Sequence, residues 1–241
     1  MPGGKPATGL SLLLSCEHGG NVVPAALRAC FTGHEEVLRS HRGLDIGALD
    51  LFRKLVPLAV HAAFAARCRL CIELNRSESH PKLFSEFTRA LPTRAKQELL
   101  AFHRGYWNDF TGQVAERISA EVRVVHVAVH SFTPVLDGVR RTVDIGLLYD
   151  PARPMEKAFC AAWAKAIRAH LPGMAVHMNQ PYKGISDGFP TALRKQFPIG
   201  YSGIELEVNQ RFARHGHMDA TLARALRESL REVLQDPPEG A

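Results

Sequence analysis

Short apolar runs alternate with long amphipathic stretches along the chain. Leu10–Ser15 is an apolar run that breaks at Glu17-His18-Gly19-Gly20, the pattern of a buried strand entering a loop. Asp45–Leu55 places Ile46, Leu49, Phe52 and Leu55 on one helical stripe. Arg69–Leu74 reads as a second buried strand. Over Pro92–Glu121, Leu99, His103, Tyr106, Phe110, Val114 and Ile118 recur at helical steps, which predicts a long helix with Thr93 as its N-cap. Val122–His130 and Val143–Tyr149 predict two further strands. The second leads into a helix carrying Phe159, Ala162, Trp163 and Ile167. Ile204–Val208 is a late strand. Met218–Leu234 is a terminal helix with Leu222, Leu226, Leu230 and Leu234 in a regular rhythm and Asp219 placed to cap it. Residues 1–8 and the tail Asp236–Ala241 read as loose ends, and no repeat, low-complexity tract or linker divides the rest.

Strands separated by long helices imply an α/β fold, with a mostly parallel sheet covered on both faces. A length of 241 residues fits one domain spanning 1–241. In such sheets ligands sit beyond the carboxyl ends of the strands, so those ends are where chemistry is sought. The composition, 46% hydrophobic and 22% charged, excludes disordered, collagen-like and disulfide-scaffold classes. With 30 basic and 24 acidic residues the net charge is +6. No run of five or six like charges exists, so the balance favours a small anionic substrate over nucleic acid. No segment has the ~18–20 apolar residues of a membrane span. The longest apolar stretch, Leu55–Ala66, is broken by Pro57 and His61. Five cysteines without an export signal predict a reduced, cytoplasmic protein.

Four strand ends carry polar residues: Cys16-Glu17-His18, Glu73-Leu74-Asn75-Arg76, His130-Ser131-Phe132-Thr133-Pro134, and Glu205-Leu206-Glu207 within the late strand. If their strands are parallel, His18 and His130 converge on one sheet edge. Two histidines and an acid are the usual ligands of a catalytic zinc. His126 shares a strand face with His130 and reads as core. His34, His41, His61, His80, His215 and His217 read as surface or helix residues. Glu205 and Glu207 point the same way, which is costly in a buried sheet unless they are paired or metal-bound; one of them is a candidate general base. Asn75-Arg76 suits a carboxylate clamp, and Arg140-Arg141 adds positive charge. Cys68-x-x-Cys71 lacks a second pair and reads as structural, and Cys16 beside His18 is a weak candidate nucleophile. There is no glycine-rich phosphate loop.

The segments SCEHGGNVVP, GLDIGAL, IELNR, AVHSFTPVLDG, DIGLLYD, NQPYKG and GIELEVNQ, in that order from about residue 12 to 212, resemble the N-formylglutamate amidohydrolase family. The match is closer to a short branch of that family than to the enzyme of histidine breakdown. The family is similar in fold to zinc carboxypeptidases and aspartoacylase. The resemblance implies a three-layer α/β/α domain with a mixed sheet of about eight strands, and amide hydrolysis at Zn²⁺. It implies that His18 and His130 bind metal, that Asn75 and Arg76 hold the substrate carboxylate, and that Glu207 is the general base. Ser131, Arg141 and Tyr182 join the substrate-binding set, with Tyr182 or Lys183 closing over the site. The wider superfamily carries Glu three residues after the first histidine, where this chain has Asn21. Asp45 and Glu17 are the candidates for the third ligand, Asp45 being preferred. The expected substrate is a small anionic N-acyl amino acid. The competing reading, favoured by Asn21, is a non-catalytic carboxylate-binding protein with a degraded metal site, and a third is a basic surface for RNA.

Overall fold

The computed structural model describes residues 9–238. The N-terminal loose end and the last three residues of the C-terminal one lie outside the described residues. The strands in chain order are β1 (Leu10–Cys16), β2 (His61–Phe64), β3 (Arg123–Phe132), β4 (Val135–Leu136) and β5 (Val139–Arg140). They continue with β6 (Ile145–Leu148), β7 (Val176–Met178), β8 (Tyr201–Asn209), β9 (Ala213–Arg214) and β10 (His217–Met218). The helices are α1 (Glu35–Arg39), α2 (Ala48–Leu55), α3 (Thr93–Ser119), α4 (Pro154–His170), α5 (Phe189–Gln196) and α6 (Ala220–Gln235).

Six strands form the central sheet in the order β2-β1-β3-β8-β6-β7. All neighbours are parallel except β6 and β8, which are antiparallel. The four remaining strands are two-residue ribbons, β4–β5 and β9–β10, so the sheet is smaller than the eight strands the resemblance implied.

Alternation along each strand sorts side chains to two faces. Leu12, Leu14, Val125, Val127, Val129, Ile204, Leu206 and Val208 pack with α2, α4 and α6 in the main core. Leu13, Val124 and Tyr201 point the other way, against Phe110 and Val114 of α3 and Phe189 and Leu193 of α5. The result is the expected three layers. Asp219 caps α6, accepting from Leu222 N–H at 2.9 Å. The long helix has Pro92 at its N-cap, without a side-chain bond, and Thr93 is already helical. Among the described residues no helix is long and apolar enough to cross a membrane.

The segment Arg69–Leu74 is not a strand. It is a turn-rich excursion, with Cys71 N–H bonded to Cys68 O at 2.9 Å. Leu70, Cys71 and Ile72 pack with Leu27, Phe31, Leu83 and Leu99 in a separate core beneath the start of α3. Its apolar run has a strand's length, but burial by a helix and loops satisfies such a run equally well. Asp45–Leu55 is likewise helical only from Ala48, with Gly47 in the left-handed region at φ +84°. His61, read as a surface or helix residue, sits half-buried on the edge strand β2.

Candidate metal centre and substrate cavity

Parallel pairing brings the carboxyl ends of β1, β3 and β8 to one edge. β1 ends at Cys16 and hands the chain to Glu17 and His18. β3 carries His130 opposite Glu207 of β8. The turn before α2 is tied to the same edge because Asp45 N–H donates to His18 O at 3.0 Å. Three buried side chains meet there: His18, Asp45 and His130 are 3%, 6% and 2% exposed. Asp45 Oδ2 lies 3.3 Å from His18 Nδ1 and 3.0 Å from His130 Nδ1. One ligand atom from each of the three falls within 4.8 Å of the others.

The far side of each imidazole faces a carboxylate. His18 Nε2 contacts Glu73 Oε1, and His130 Nε2 lies 3.1 Å from Glu17 Oε2. Both Nδ1 atoms turn toward Asp45 Oδ2, and a bound cation would displace the protons that the carboxylates favour there, with Nε2–H facing the acid behind each ring. This is the carboxylate–histidine arrangement that orients metal-binding imidazoles. Three groups able to offer electron pairs to one point suit a cation. The charges agree, since Glu17, Asp45, Glu73 and Glu207 surround the point with Arg69 as the nearby cation. Burial alone would lower the His130 pKa, but the Asp45 and Glu17 carboxylates hold it well above the ordinary histidine value. Burial likewise opposes the Asp45 charge, yet His18, His130 and Arg69 keep its carboxyl far below the usual range.

Arg69 stitches this arrangement together. It donates to Glu73 Oε2 through Nε at 2.8 Å and Nη2 at 2.6 Å, and to Asp45 Oδ1 through Nη1 at 3.2 Å. Arg69 and Glu73 carried no site role in the sequence, and Glu17, a candidate third ligand there, lies behind His130 and outside the group of three converging side chains. The adjacency Glu17-His18 and the spacing of Arg69 to Glu73 are the signals that point to them. Glu17 has a consequence for acid stability. Burial opposes its charge, but His130 and Ser15 hold its pKa at about 2 against an ordinary 4.5. A depressed carboxyl contributes stability that is complete above the unfolded value and lost as pH falls through the folded one. Urea titrations of the metal-free protein should show about 3 kcal/mol lost through this group between about pH 5 and about pH 2. Glu17→Gln should flatten that part of the profile.

A cavity of about 270 Å³ opens beside these three side chains. Glu205 and Glu207 share one face of β8 and line it, 8% and 6% exposed. Burial, reinforced by Asp45 and Glu205 and opposed by His130, pushes the Glu207 carboxyl up to about 8. Its buried Oε2 has no hydrogen-bond partner among the described residues. Burial also raises Glu205. β8 lies between β3 and β6, so the two acids sit on an interior strand and not on a solvent-facing edge.

Asn75 and Arg76 reach the cavity from the loop after the Arg69–Leu74 excursion, not from a strand end. Helix α3 anchors that loop: Trp107 Nε1 donates to Leu74 O at 2.8 Å, and His103 Nε2 lies 2.9 Å from Arg76 O. Arg76 Nη1 donates to the Asp187 and Asn75 carbonyls. At the mouth, Arg141 Nη1 donates to Tyr182 Oη at 2.9 Å, and its guanidinium lies over the Phe132 and Tyr182 rings. Ser131 lines the cavity, but its hydroxyl donates to Ile46 O at 2.8 Å and its N–H points to Asp45 Oδ2 at 3.3 Å. It thereby steadies the Asp45 turn. Lys183 also lines the cavity.

The remaining expectations resolve simply. His126 is core: it bridges Ser15 Oγ and Tyr201 Oη, each at 2.7 Å, and burial drops its pKa to about 3. Cys16 is wholly buried in the main core, and burial drives its thiol well above the ordinary value, the opposite of an activated nucleophile. Cys68 and Cys71 are free, buried thiols. Asn21 turns away from His18, Asp45 and His130, donating to Leu38 O at 2.9 Å.

A model of the family described as FGase, N-formylglutamate amidohydrolase, matches residues 10–213. Among solved structures, gene product Atu2144 from Agrobacterium tumefaciens is 25% identical, with TM-score 0.76 over 94% of this chain and 91% of that one. A proposed metallopeptidase from Shewanella denitrificans OS217 is 14% identical, with TM-score 0.39 over 97% of this chain and 76% of that one. Among curated proteins none matches.

Proposed function

Because the chain belongs to the N-formylglutamate amidohydrolase family, whose members hydrolyse amide bonds, we propose that it cleaves the amide of an N-formyl or N-acyl amino acid at a zinc ion held by His18, Asp45 and His130. The observation that carries this reading is the convergence of those three ligand atoms beside a buried Glu207 oxygen with no protein partner. Two imidazoles and a carboxylate are the donor set of catalytic zinc, leaving a position for water. Zinc there supplies Lewis acidity, which acidifies water and polarises a carbonyl.

The chain's own residues do the rest. Arg76, with Asn75 beside it and Arg141 and Tyr182 at the mouth, anchors the substrate carboxylate and turns the scissile carbonyl toward Glu207. Glu207 Oε2 takes a proton from water as its oxygen bonds to the carbonyl carbon. The C–N bond then breaks, and Glu207 returns that proton to the leaving nitrogen, releasing a carboxylic acid and the free amino acid. Glu17 and Glu73 keep the imidazoles aimed throughout, with Arg69 holding Glu73 and Asp45 in register. The reading assigns the whole of 1–241 to one catalytic domain with a small anionic substrate and no nucleic-acid role.

Metal analysis and a hydrolysis screen test it. Purified protein is expected to hold about one zinc per chain. It should cleave at least one member of a panel of N-formyl and N-acyl amino acids, lose that activity to a chelator and regain it with zinc. Failure of the metal-replete protein on the whole panel would refute the proposal.

A further inference from the structure

Four buried polar side chains run in a row across the α3 face of the sheet, and the mechanism uses only the last of them. Tyr201 of β8, His126 of β3 and Ser15 of β1 lie on three neighbouring strands. Tyr201 Oη is 2.7 Å from His126 Nδ1, and Ser15 Oγ is 2.7 Å from Nε2 of the same ring. The Ser15 side chain is hydrogen-bonded in turn to Glu17, two residues further along the chain. Glu17 stands behind His130, with Oε2 3.1 Å from Nε2. Gly203, paired with His126 in the sheet, makes room for the row, because a Cβ there would come within 2.9 Å of Tyr201 Oη.

The direction of every proton in the row follows from its end. A carboxylate only accepts, so the Ser15 hydroxyl proton points to Glu17. Ser15 Oγ is then the acceptor toward His126, and Nε2 carries the ring proton. His126 is neutral, since burial drops its pKa to about 3, so Nδ1 keeps a lone pair and the Tyr201 hydroxyl donates to it. The reverse direction would turn a Ser15 lone pair on the Glu17 carboxylate. It would also leave the Tyr201 proton without an acceptor among the described residues. The rings of Phe110 and Phe189 pack on the imidazole, with centroids at 4.5 and 5.7 Å, so a misplaced proton there would cost an unpaired buried polar group.

We propose that Tyr201, His126 and Ser15 are positioning residues for the metal centre, a one-way hydrogen-bond chain that crosses three strands, ends on Glu17 and fixes that carboxylate behind His130. The His126 ring thereby acts on metal affinity through two intervening groups, Ser15 and Glu17. Tyr106 supplies Glu17 with a second hydroxyl donor, at 3.3 Å from Oε1. Held by both hydroxyls, the carboxylate keeps an oxygen turned to His130 Nε2, and Nδ1 stays available to a cation. This inference rests on the proposed function, because it takes His130 as a zinc ligand.

Two measurements on the full chain test it. Nitrogen NMR of the histidine rings in the metal-free protein should show His126 neutral with its proton on Nε2. A proton on Nδ1 would overturn the chain. Zinc affinity, read by competition with a chromophoric chelator, should fall about tenfold in Ser15→Ala, the lower end of what losing an outer partner of a metal-binding histidine costs. Tyr201→Phe removes only the far donor, and bonds in a chain strengthen one another modestly, so its loss should stay within about threefold. Ser229→Ala is the control. It removes a buried hydroxyl of α6 that accepts from Trp163 Nε1 at 3.2 Å, and it should leave zinc affinity unchanged. Thermal melts should show all three variants folded. Parent-like affinity in Ser15→Ala, an equal loss in Ser229→Ala, or a larger loss in Tyr201→Phe than in Ser15→Ala would overturn the proposal. Zinc-dependent hydrolysis by the parent, with zinc affinity untouched in Ser15→Ala, would sink this inference and spare the proposed function. The expected order of zinc affinities, with no hydrolysis of any substrate in the panel, would do the reverse.

Discussion

Glu207→Gln is expected to lower kcat by about two to four orders of magnitude, the range for removing a general base, with zinc content unchanged. Gln has the same shape, so the cavity and substrate contacts persist, but it cannot take the proton from water. Glu207 is not among the three converging ligand atoms, so metal retention separates a lost base from a lost site. The fold should not suffer either. Burial is the largest influence pushing this carboxyl up to about 8, and its Oε2 has no partner to lose. The thermal midpoint should stay level or rise. The sign of the pH dependence follows from the base role: the working form is the carboxylate, so the rate climbs as pH rises through its pKa. A cation beside it favours the charged form, so the midpoint should fall below the value of about 8 it has without one. A variant with near-normal kcat would remove Glu207 from the mechanism.

The parts of this fold that the sequence discloses are those decided by neighbours along the chain. The strands read from Val122–His130 and Ile204–Val208 recur as β3 and β8, because a strand sandwiched between helical layers is buried on both faces and reads as a largely apolar run. His18 and His130 are legible for the same reason, each placed by the end of an apolar run. Asp45 is less so, since it takes contacts across the fold, from its N–H to His18 O and from its Oδ2 to His18 Nδ1, to show that the turn before α2 lies against the end of β1. The Arg69–Leu74 excursion misleads because its apolar run is buried by Leu99 of α3 and by Phe31, partners that no local pattern announces. The roles of Glu17, Glu73 and Arg69 stay hidden for a related reason. A carboxylate behind an imidazole is a contact across the fold, and its sequence trace is an ordinary Glu beside an ordinary His. The same holds for Glu156 and Arg194, an acid and a base that no local pattern marks out and a buried pair in the structure.

That pair underlies the second large effect, expected from Glu156→Ala: a loss of about 3–5 kcal/mol in unfolding free energy, as when one partner of a buried ion pair is removed. Glu156 accepts from Arg194 Nε at 2.9 and 3.1 Å, from Asp150 N–H at 2.9 Å and from Gly203 N–H at 2.9 Å. Truncation leaves the buried Gly203 amide, the half-buried Asp150 amide and the Arg194 guanidinium without their acceptor, and Arg153, whose Nε lies 3.2 Å from Glu156 Oε1, loses its ion-pair partner. Arg194 in turn donates to the Gly184 and Gly203 carbonyls, each at 2.6 Å. It thus clamps the Tyr182–Gly184 loop to the strand that carries Glu205 and Glu207. The damage should therefore reach the site, raising KM more than it lowers kcat. A control distinguishes an orphaned charge from a missing contact. Glu156→Ala combined with Arg194→Met removes the uncompensated guanidinium and should recover part of the loss, although the Gly203 amide stays unpaired. Chemical denaturation reads all three proteins. A single-variant loss below about 1 kcal/mol would place the pair among weakly contributing ion pairs, and a double variant no more stable than the single would assign the cost to the amides Glu156 holds rather than to the charge of Arg194.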